Sequence, residues 1–377
     1  YSVSKGVGLY EGTFPLVDYL QGPPPFSEFG QGKIAFDGDG KPQSAREYDT
    51  RFALMTPITD PQSPAHYLMV YAPGEAGEYR SFLDNEAKAL IPIYLAAISM
   101  DAPLSAGRNP TSTPPEELFA QLAVDNLPAW RDIILQRVAD LLQLMRFVEI
   151  VTIEPEVSPL GASIPLFANP LVLMGNGVGA QVAALAASVE GRIDTTVLAA
   201  PAGFLGGMLA ERYQEEYATR FALAPGEVLD EDHPIVRLVL QPLLDPADPI
   251  NFGPRLFLDP EPLPNDVFIT LGTQDRVMPP RYVAAFAVSA GIPLIQPEAY
   301  TDELWEQAGI APIPAPVVGN INEPFPNCER PVCAFTAGVL SYDDDHHLLF
   351  DNEDAITRYT NYIISAYRGI PLIDQAM

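Results

Sequence analysis

Chemistry in this chain concentrates in three short segments. The first is Gly175-Asn176-Gly177-Val178-Gly179, after the apolar run Leu171-Val-Leu-Met174 and before Gln181-Val-Ala-Ala-Leu-Ala-Ala-Ser188. The second is Gly272-Thr-Gln-Asp275, which leads to Pro279-Pro280. The third is Asp343-Asp-Asp-His346-His347. Acyl transfer uses a carboxylate to orient an imidazole, an imidazole to take a proton, and a tight turn whose N–H groups face developing negative charge. The attacking hydroxyl is what this set lacks. Glycine stands at the centre of the turn, no Ser, Cys or Asp adjoins it, and Ser163 and Ser188 are too remote along the chain to take its place.

The elements that must position these segments read as alternating strands and helices. Apolar runs of strand length at 67–71, 93–99, 171–174, 195–200, 267–271 and 334–342 alternate with helical stretches at 79–89, 129–147, 178–188, 281–290 and 353–367. In the 129–147 stretch, Ile133, Ile134, Val138, Leu141, Leu142 and Met145 recur at helical spacing. Alternation of this kind predicts an α/β fold with a mainly parallel sheet covered by helices on both faces. In such sheets ligands gather at the carboxyl ends of strands, here the loops after Tyr71, Met174, Leu271 and Tyr342. Two segments interrupt the alternation: 203–264, and the proline-rich stretch 291–332. The expected division is therefore 1–66 as strands and loops joining the sheet, 67–202 with 265–377 as the core, and 203–264 as a lid or cap. Lys33-Ile-Ala-Phe36 and a partner near Arg51-Phe-Ala-Leu-Met55 flank Asp37-Gly-Asp-Gly40. A hairpin turn is expected there rather than a calcium loop, because the glutamate and spacing of an EF-hand are missing.

Composition narrows the partners. With 377 residues, 47% of them hydrophobic, the chain can bury a large core in one α/β domain with insertions, or in two domains. A net charge of −28, from 49 acids against 21 bases, repels nucleic acid and anionic membranes. No apolar run reaches a membrane span, since Pro92 breaks the longest candidate, so no transmembrane segment is expected. Cys328 and Cys333 lie in a proline-rich loop; a local disulfide and an oxidising compartment are expected, with two free thiols as the alternative. Two cysteines with no nearby histidine do not make a zinc site, and five contiguous ligands at 343–347 seldom converge on one ion, so neither metal nor cofactor is expected. The chain starts at Tyr1 without a signal peptide, as a mature bacterial protein of the secreted, periplasmic or cell-surface kind would, with a lipid anchor upstream of Tyr1 left open.

Strand, tight turn and helix, followed in order by an acid and a histidine, resemble the α/β-hydrolase superfamily from about residue 67 to 368. A narrower resemblance, to bacterial secreted esterase- and lipase-like proteins, rests on Trp130-Arg131-Asp132 with Gln136 and Asp140, and on Asp245-Pro-Ala-Asp-Pro249. The resemblance implies that Gly177 occupies the nucleophile position of G-x-S-x-G, that Asp275 is the triad acid, and that His346 is the base with His347 as the alternative. It places the oxyanion N–H groups at Val178 and at Gly74 or Glu75, because Pro73 has no N–H to give. Asn176 and Val178 depart from the usual elbow residues as well. The implied activity is that of a Ser-His-Asp carboxylic-ester hydrolase scaffold for small-molecule esters, without its serine and so with little turnover. A binding protein for an apolar carbonyl or carboxylate ligand, and His–Asp base chemistry without a covalent step, are the other readings. A dinucleotide loop would need an acid at the end of the next strand, where this chain has Pro201-Ala-Gly203.

Overall fold

The computed structural model describes residues 2–4, 7–57, 66–75, 77–83, 95–158, 161, 163–260, 264–322, 325, 333–346 and 351–374. One mixed sheet runs through them. Its order is β1 (Ser2–Ser4), β2 (Val7–Asp18), β3 (Arg46–Pro57), β5 (Ala96–Met100), β4 (His66–Ala72), β7 (Ile164–Asn176), β8 (Ile193–Ala199), β9 (Asp266–Gly272) and β12 (Ala337–Tyr342). The pairs β1–β2, β2–β3 and β3–β5 are antiparallel, and every pairing from β5 across to β12 is parallel. Off this path, β6 (Thr152–Ile153) pairs with the start of β7, and β10 (Ile295–Gln296) pairs with β11 (Ile313–Pro314).

The sequence pattern follows the topology. β2 alternates buried and open positions, as an antiparallel strand covered on one face does. β5 and β9 are buried at every residue, because helices cover both faces of the parallel region. Successive side chains of one strand feed two cores. Leu68, Val70, Leu171, Leu173 and Ile269 pack with Ile133, Ile134 and Leu141 of the helix Leu127–Ile150. Met69, Tyr71, Val172, Met174 and Phe268 pack with Tyr359 and Tyr362 of the helix Glu353–Tyr367.

Two local expectations change. Asp37-Gly-Asp-Gly40 is a turn, with the Asp37 carboxylate accepting from the N–H groups of Asp39 and Lys41. The bridge it closes is Phe36 with Pro42, whereas β3 takes its long partner from β2. The strand expected over 93–99 is β5 at Ala96–Met100, and of the 79–89 helix the described part is a single 3₁₀ turn at Ser81–Leu83; residues 84–94 lie outside the described residues. The 203–264 stretch holds the helices Leu205–Arg212, Gln214–Arg220 and Gln241–Leu244, with a π-helical turn at Val236–Leu240. No helix among the described residues is long and apolar enough to cross a membrane. Among the described residues there is no free cysteine, and Cys328 lies outside them.

Candidate active site

The bend that ends β7 is built by three glycines needed for three different reasons. A Cβ on Gly175 would lie 2.4 Å from the Gly179 carbonyl oxygen across the turn. A Cβ on Gly179 would lie 2.1 Å from the carbonyl oxygen of Ala72 and 2.7 Å from that of Pro73. The first turn of the helix Val178–Ala187 can therefore rest directly on the end of β4. Gly177 has φ 55° and ψ −119°, a left-handed conformation that strains any L side chain. Its N–H donates to the Ala199 carbonyl at 2.9 Å, which ties the bend to β8.

What faces this bend is an imidazole. A Cβ on Gly177 would lie 3.0 Å from Cε1 and 3.1 Å from Nε2 of His346, and 3.7 Å from the Met278 methyl. His346 Nδ1 is 2.7 Å from Asp275 Oδ2. Asp275 is buried, and its Oδ1 accepts from the N–H groups of Val277 and Met278, both at 2.8 Å. An ionised carboxylate only accepts, so Nδ1 is the donor of this pair, and in the neutral ring Nε2, the nitrogen facing Gly177, is left as the acceptor. Two loops are stitched together to achieve this. Gln274 N–H donates to the Asp344 carbonyl, Thr273 N–H donates to the Tyr342 carbonyl, and the Asp343 carboxylate accepts from the Gln274 and Thr273 side chains. Those two side-chain bonds hold the Asp343 carboxyl below its ordinary pKa.

The other histidines stand elsewhere. His66 begins β4, and His233 bonds Glu227 and the Ile235 N–H within the 203–264 stretch. His347 lies outside the described residues. Ser188 closes the far end of its helix by donating to the Leu185 carbonyl, and Ser163 is exposed before β7.

Two of the residues expected to give oxyanion donors, Val178 and Gly74, lie beside the bend. Val178 is the first residue of its helix, so its N–H has no intrahelical carbonyl to meet. Gly74 lies beside the bend, with its Cβ position 3.6 Å from the Asn176 carbonyl oxygen. The residue that fixes this loop escaped the sequence reading. Buried Arg137 donates to the carbonyls of Pro73 at 2.6 Å and Gly74 at 2.5 Å. In a planar trans peptide the N–H points opposite to the C=O. Pulling both carbonyls toward Arg137 therefore turns the N–H groups of Gly74 and Glu75 the other way. Burial pushes the Arg137 guanidinium down to about 10, although Glu75 and Asp140 oppose the shift. A usable signal was present, since Arg137 shares the helical face of Ile133, Ile134, Leu141 and Leu144. The Glu75 carboxylate pairs with Arg212, at 2.5 and 3.0 Å, which links the loop to the helix Leu205–Arg212.

The residues behind the narrower resemblance hold structure together. Asp132 accepts from the Ile34 N–H and pairs with Arg131. Asp140 is fully buried, pairs with Arg108 and accepts from Gln136, and burial raises its pKa. Asp248 is likewise buried, accepts from the N–H groups of Phe204, Leu205 and Ile250 and from the Gln241 amide, and is pushed up to about 6 by desolvation.

Eight strands ordered β2-β3-β5-β4-β7-β8-β9-β12, with β3 antiparallel to its neighbours, carry the bend after β7, the acid after β9 and the imidazole after β12. This is the α/β-hydrolase fold, with the glycine bend, the Asp275 loop and the His346 loop following its strands in that chain order. No family model matches the chain, and no curated protein matches it in sequence. Among solved structures it is similar to acetyl xylan esterase 1 from Thermoanaerobacterium (14% identity, TM-score 0.49, covering 86% of this chain and 82% of that one). It is similar also to an esterase of Pyrococcus furiosus (11%, 0.42, 83% and 86%). A third likeness is to the Pyrococcus horikoshii acylaminoacyl peptidase (9%, 0.48), where 87% of this chain spans 40% of that one. Likenesses this distant carry no residue role across to this chain.

Proposed function

We propose that the chain is a carboxylic-ester hydrolase scaffold of the Ser-His-Asp type whose nucleophile position is Gly177, and that it turns esters over little or not at all. The observation that carries this is the direction of the missing side chain, whose first carbon would lie 3.1 Å from the accepting Nε2 of His346. In this reading Asp275 fixes the tautomer and stabilises imidazolium, and His346 is the base. Val178 with Gly74 or Glu75 supplies the oxyanion donors. A serine hydroxyl at 177 would lose its proton to Nε2 as its oxygen bonds the ester carbonyl carbon. The alcohol would then leave with that proton, and water would repeat the sequence on the acyl-enzyme. Without the hydroxyl, only the residual catalysis of donors and binding is left, about 10³–10⁴ over water. The 203–264 stretch acts as the cap over the small ester or apolar ligand. The reading includes a Cys328–Cys333 disulfide, which with the acidic coat would suit a secreted setting.

Gly177→Ser tests the proposal. Hydrolysis of p-nitrophenyl acetate should rise by about 100-fold or more over the unaltered chain, and should fall again in Gly177→Ser/His346→Ala. A folded Gly177→Ser protein with no gain overturns it. If that protein still bound carboxylate ligands, a binding role for the same donors would be favoured instead.

A further inference from the structure

A cleft lies where the two insertions meet the helix Pro280–Ser289. It measures about 790 Å³, within the range of small-molecule sites. We propose that this cleft binds a neutral, hydroxyl-rich ligand, a carbohydrate, independently of what Gly177 does.

The floor is apolar and partly aromatic. Half-buried Phe204, Ile250, Ala285 and Leu304 line it, with Tyr282 buried against Phe204, ring centroids 6.4 Å apart. Such a surface suits the C–H face of a sugar ring. The rim consists of side chains that end in planar two-pronged groups: Glu231, Arg237, Arg281, Glu303 and Gln307. Carboxylate, guanidinium and amide forks match pairs of neighbouring hydroxyls, as donors on one prong set and acceptors on the other. A purely apolar ligand would cover the polar ends of Glu303 and Gln307, at about 1–3 kcal/mol for each one left unsatisfied. Charge disfavours an anion: two guanidiniums face three carboxylates here, counting Asp302, in a chain of net charge −28. A peptide strand would look for exposed sheet edges to pair with, and the lining comes from helices and loops.

Several prongs are fixed in advance, which lowers the ordering cost of binding. Arg281 lies over the Tyr282 ring, 4.9 Å from its centroid, and pairs with Glu211 and Glu231. Arg237 pairs with Asp232 and donates to the Glu231 carbonyl. Asp302 and Gln241 are spent on the fold: Asp302 accepts from Leu304 N–H and Tyr300, and Gln241 binds Gly206, Asp245 and Asp248. Glu303 and Gln307, both exposed on the helix Glu303–Gln307, can be altered with little effect on folding.

The unaltered chain is titrated calorimetrically with the linear tetrasaccharides of glucose, xylose, mannose and galactose, with decanoate, and with the peptide Gly-Ser-Gly-Ser. At least one tetrasaccharide should bind with Kd of about 1 mM or tighter, and the Glu303→Ala/Gln307→Ala double variant should weaken it at least about fivefold. The proposal is overturned if no tetrasaccharide binds at about 10 mM, if the double variant binds as well as the unaltered chain, or if only decanoate or peptide binds. None of these results depends on ester turnover, so they stand apart from the Gly177→Ser outcome.

Discussion

Two glycines of one pentapeptide should respond to alanine by very different amounts. At 177 the obstacle is conformational. Holding an L residue at φ 55° and ψ −119° costs about 1–3 kcal/mol. The new methyl would also press on His346 Cε1 at 3.0 Å, and an imidazole that is part exposed can withdraw by a few tenths of an ångström. Restricting the unfolded chain returns about 0.4–1 kcal/mol, leaving a net loss of about 1–2 kcal/mol. Unfolding entropy of about 2.1 cal/mol/K per residue over 377 residues gives about 0.8 kcal/mol/K, so Gly177→Ala should lower Tm by about 1–3 °C. At 179 the obstacle is backbone. The methyl would lie 2.1 Å from the Ala72 carbonyl oxygen, in a strand held on both sides by β5 and β7, and nothing flexible can give way. The helix would have to lift by more than an ångström, costing above about 3 kcal/mol, or a Tm loss of at least about 4 °C, up to failure to fold. Scanning calorimetry with far-ultraviolet circular dichroism checks both variants. Equal shifts, or a larger loss at 177 than at 179, would refute the contact geometry of the elbow.

Three further outcomes are expected. Arg137→Met strips the donors from the buried Pro73 and part-buried Gly74 carbonyls, so amide exchange at Gly74 and Glu75 should quicken at least about tenfold, with Leu141 and Leu144 unchanged; a uniform rise along the helix would mean a merely structural role. Asp248 is raised from 3.8 to about 6, so the folded chain holds a proton in that interval that the unfolded chain releases. Its contribution is complete below about 3.8 and is lost as pH rises through about 6. Between pH 3.5 and 7, the unaltered chain should therefore lose about 2–3 kcal/mol relative to Asp248→Asn in urea denaturation, and a constant difference would contradict this. Asp275→Asn added to Gly177→Ser should remove at least about nine-tenths of the ester hydrolysis that the serine gained, through the wrong imidazole tautomer, and a loss under tenfold would deny Asp275 its orienting role.

The parallel half of the sheet was legible because its strands are buried on both faces. Leu171-Val-Leu-Met174 reads as an unbroken apolar run and Val267-Phe-Ile-Thr-Leu271 as one interrupted only by Thr270, and the observed β7 and β9 contain them. The antiparallel edge was not. The Asp37 turn is a short-range signal, while the partner of β3 is β2, and no local pattern records a pairing across the intervening loop. The places of the Asp275 and His346 loops were legible because each follows an apolar strand. The structure brings Asp275, His346 and Gly177 together, and the order of strands β7, β9 and β12 across the sheet is what does so. Arg137 stands out as a base on the apolar face of its helix, but nothing local to the helix marks the Pro73 and Gly74 carbonyls as its partners. The wedge formed by Phe204, Tyr282 and the helix Glu303–Gln307 was invisible for another reason: its residues come from segments with no periodicity in common.

The account stands or falls on whether a hydroxyl placed at residue 177 is activated by His346. The direct measurement is labelling with an alkyl fluorophosphonate, read by intact-protein and peptide mass spectrometry on the unaltered chain, Gly177→Ser, and Gly177→Ser/His346→Ala. Stoichiometric phosphonylation of residue 177 in the single variant, with almost none in the other two, is the predicted result. A folded Gly177→Ser protein that takes no label, or one that labels as fast without His346, would contradict it.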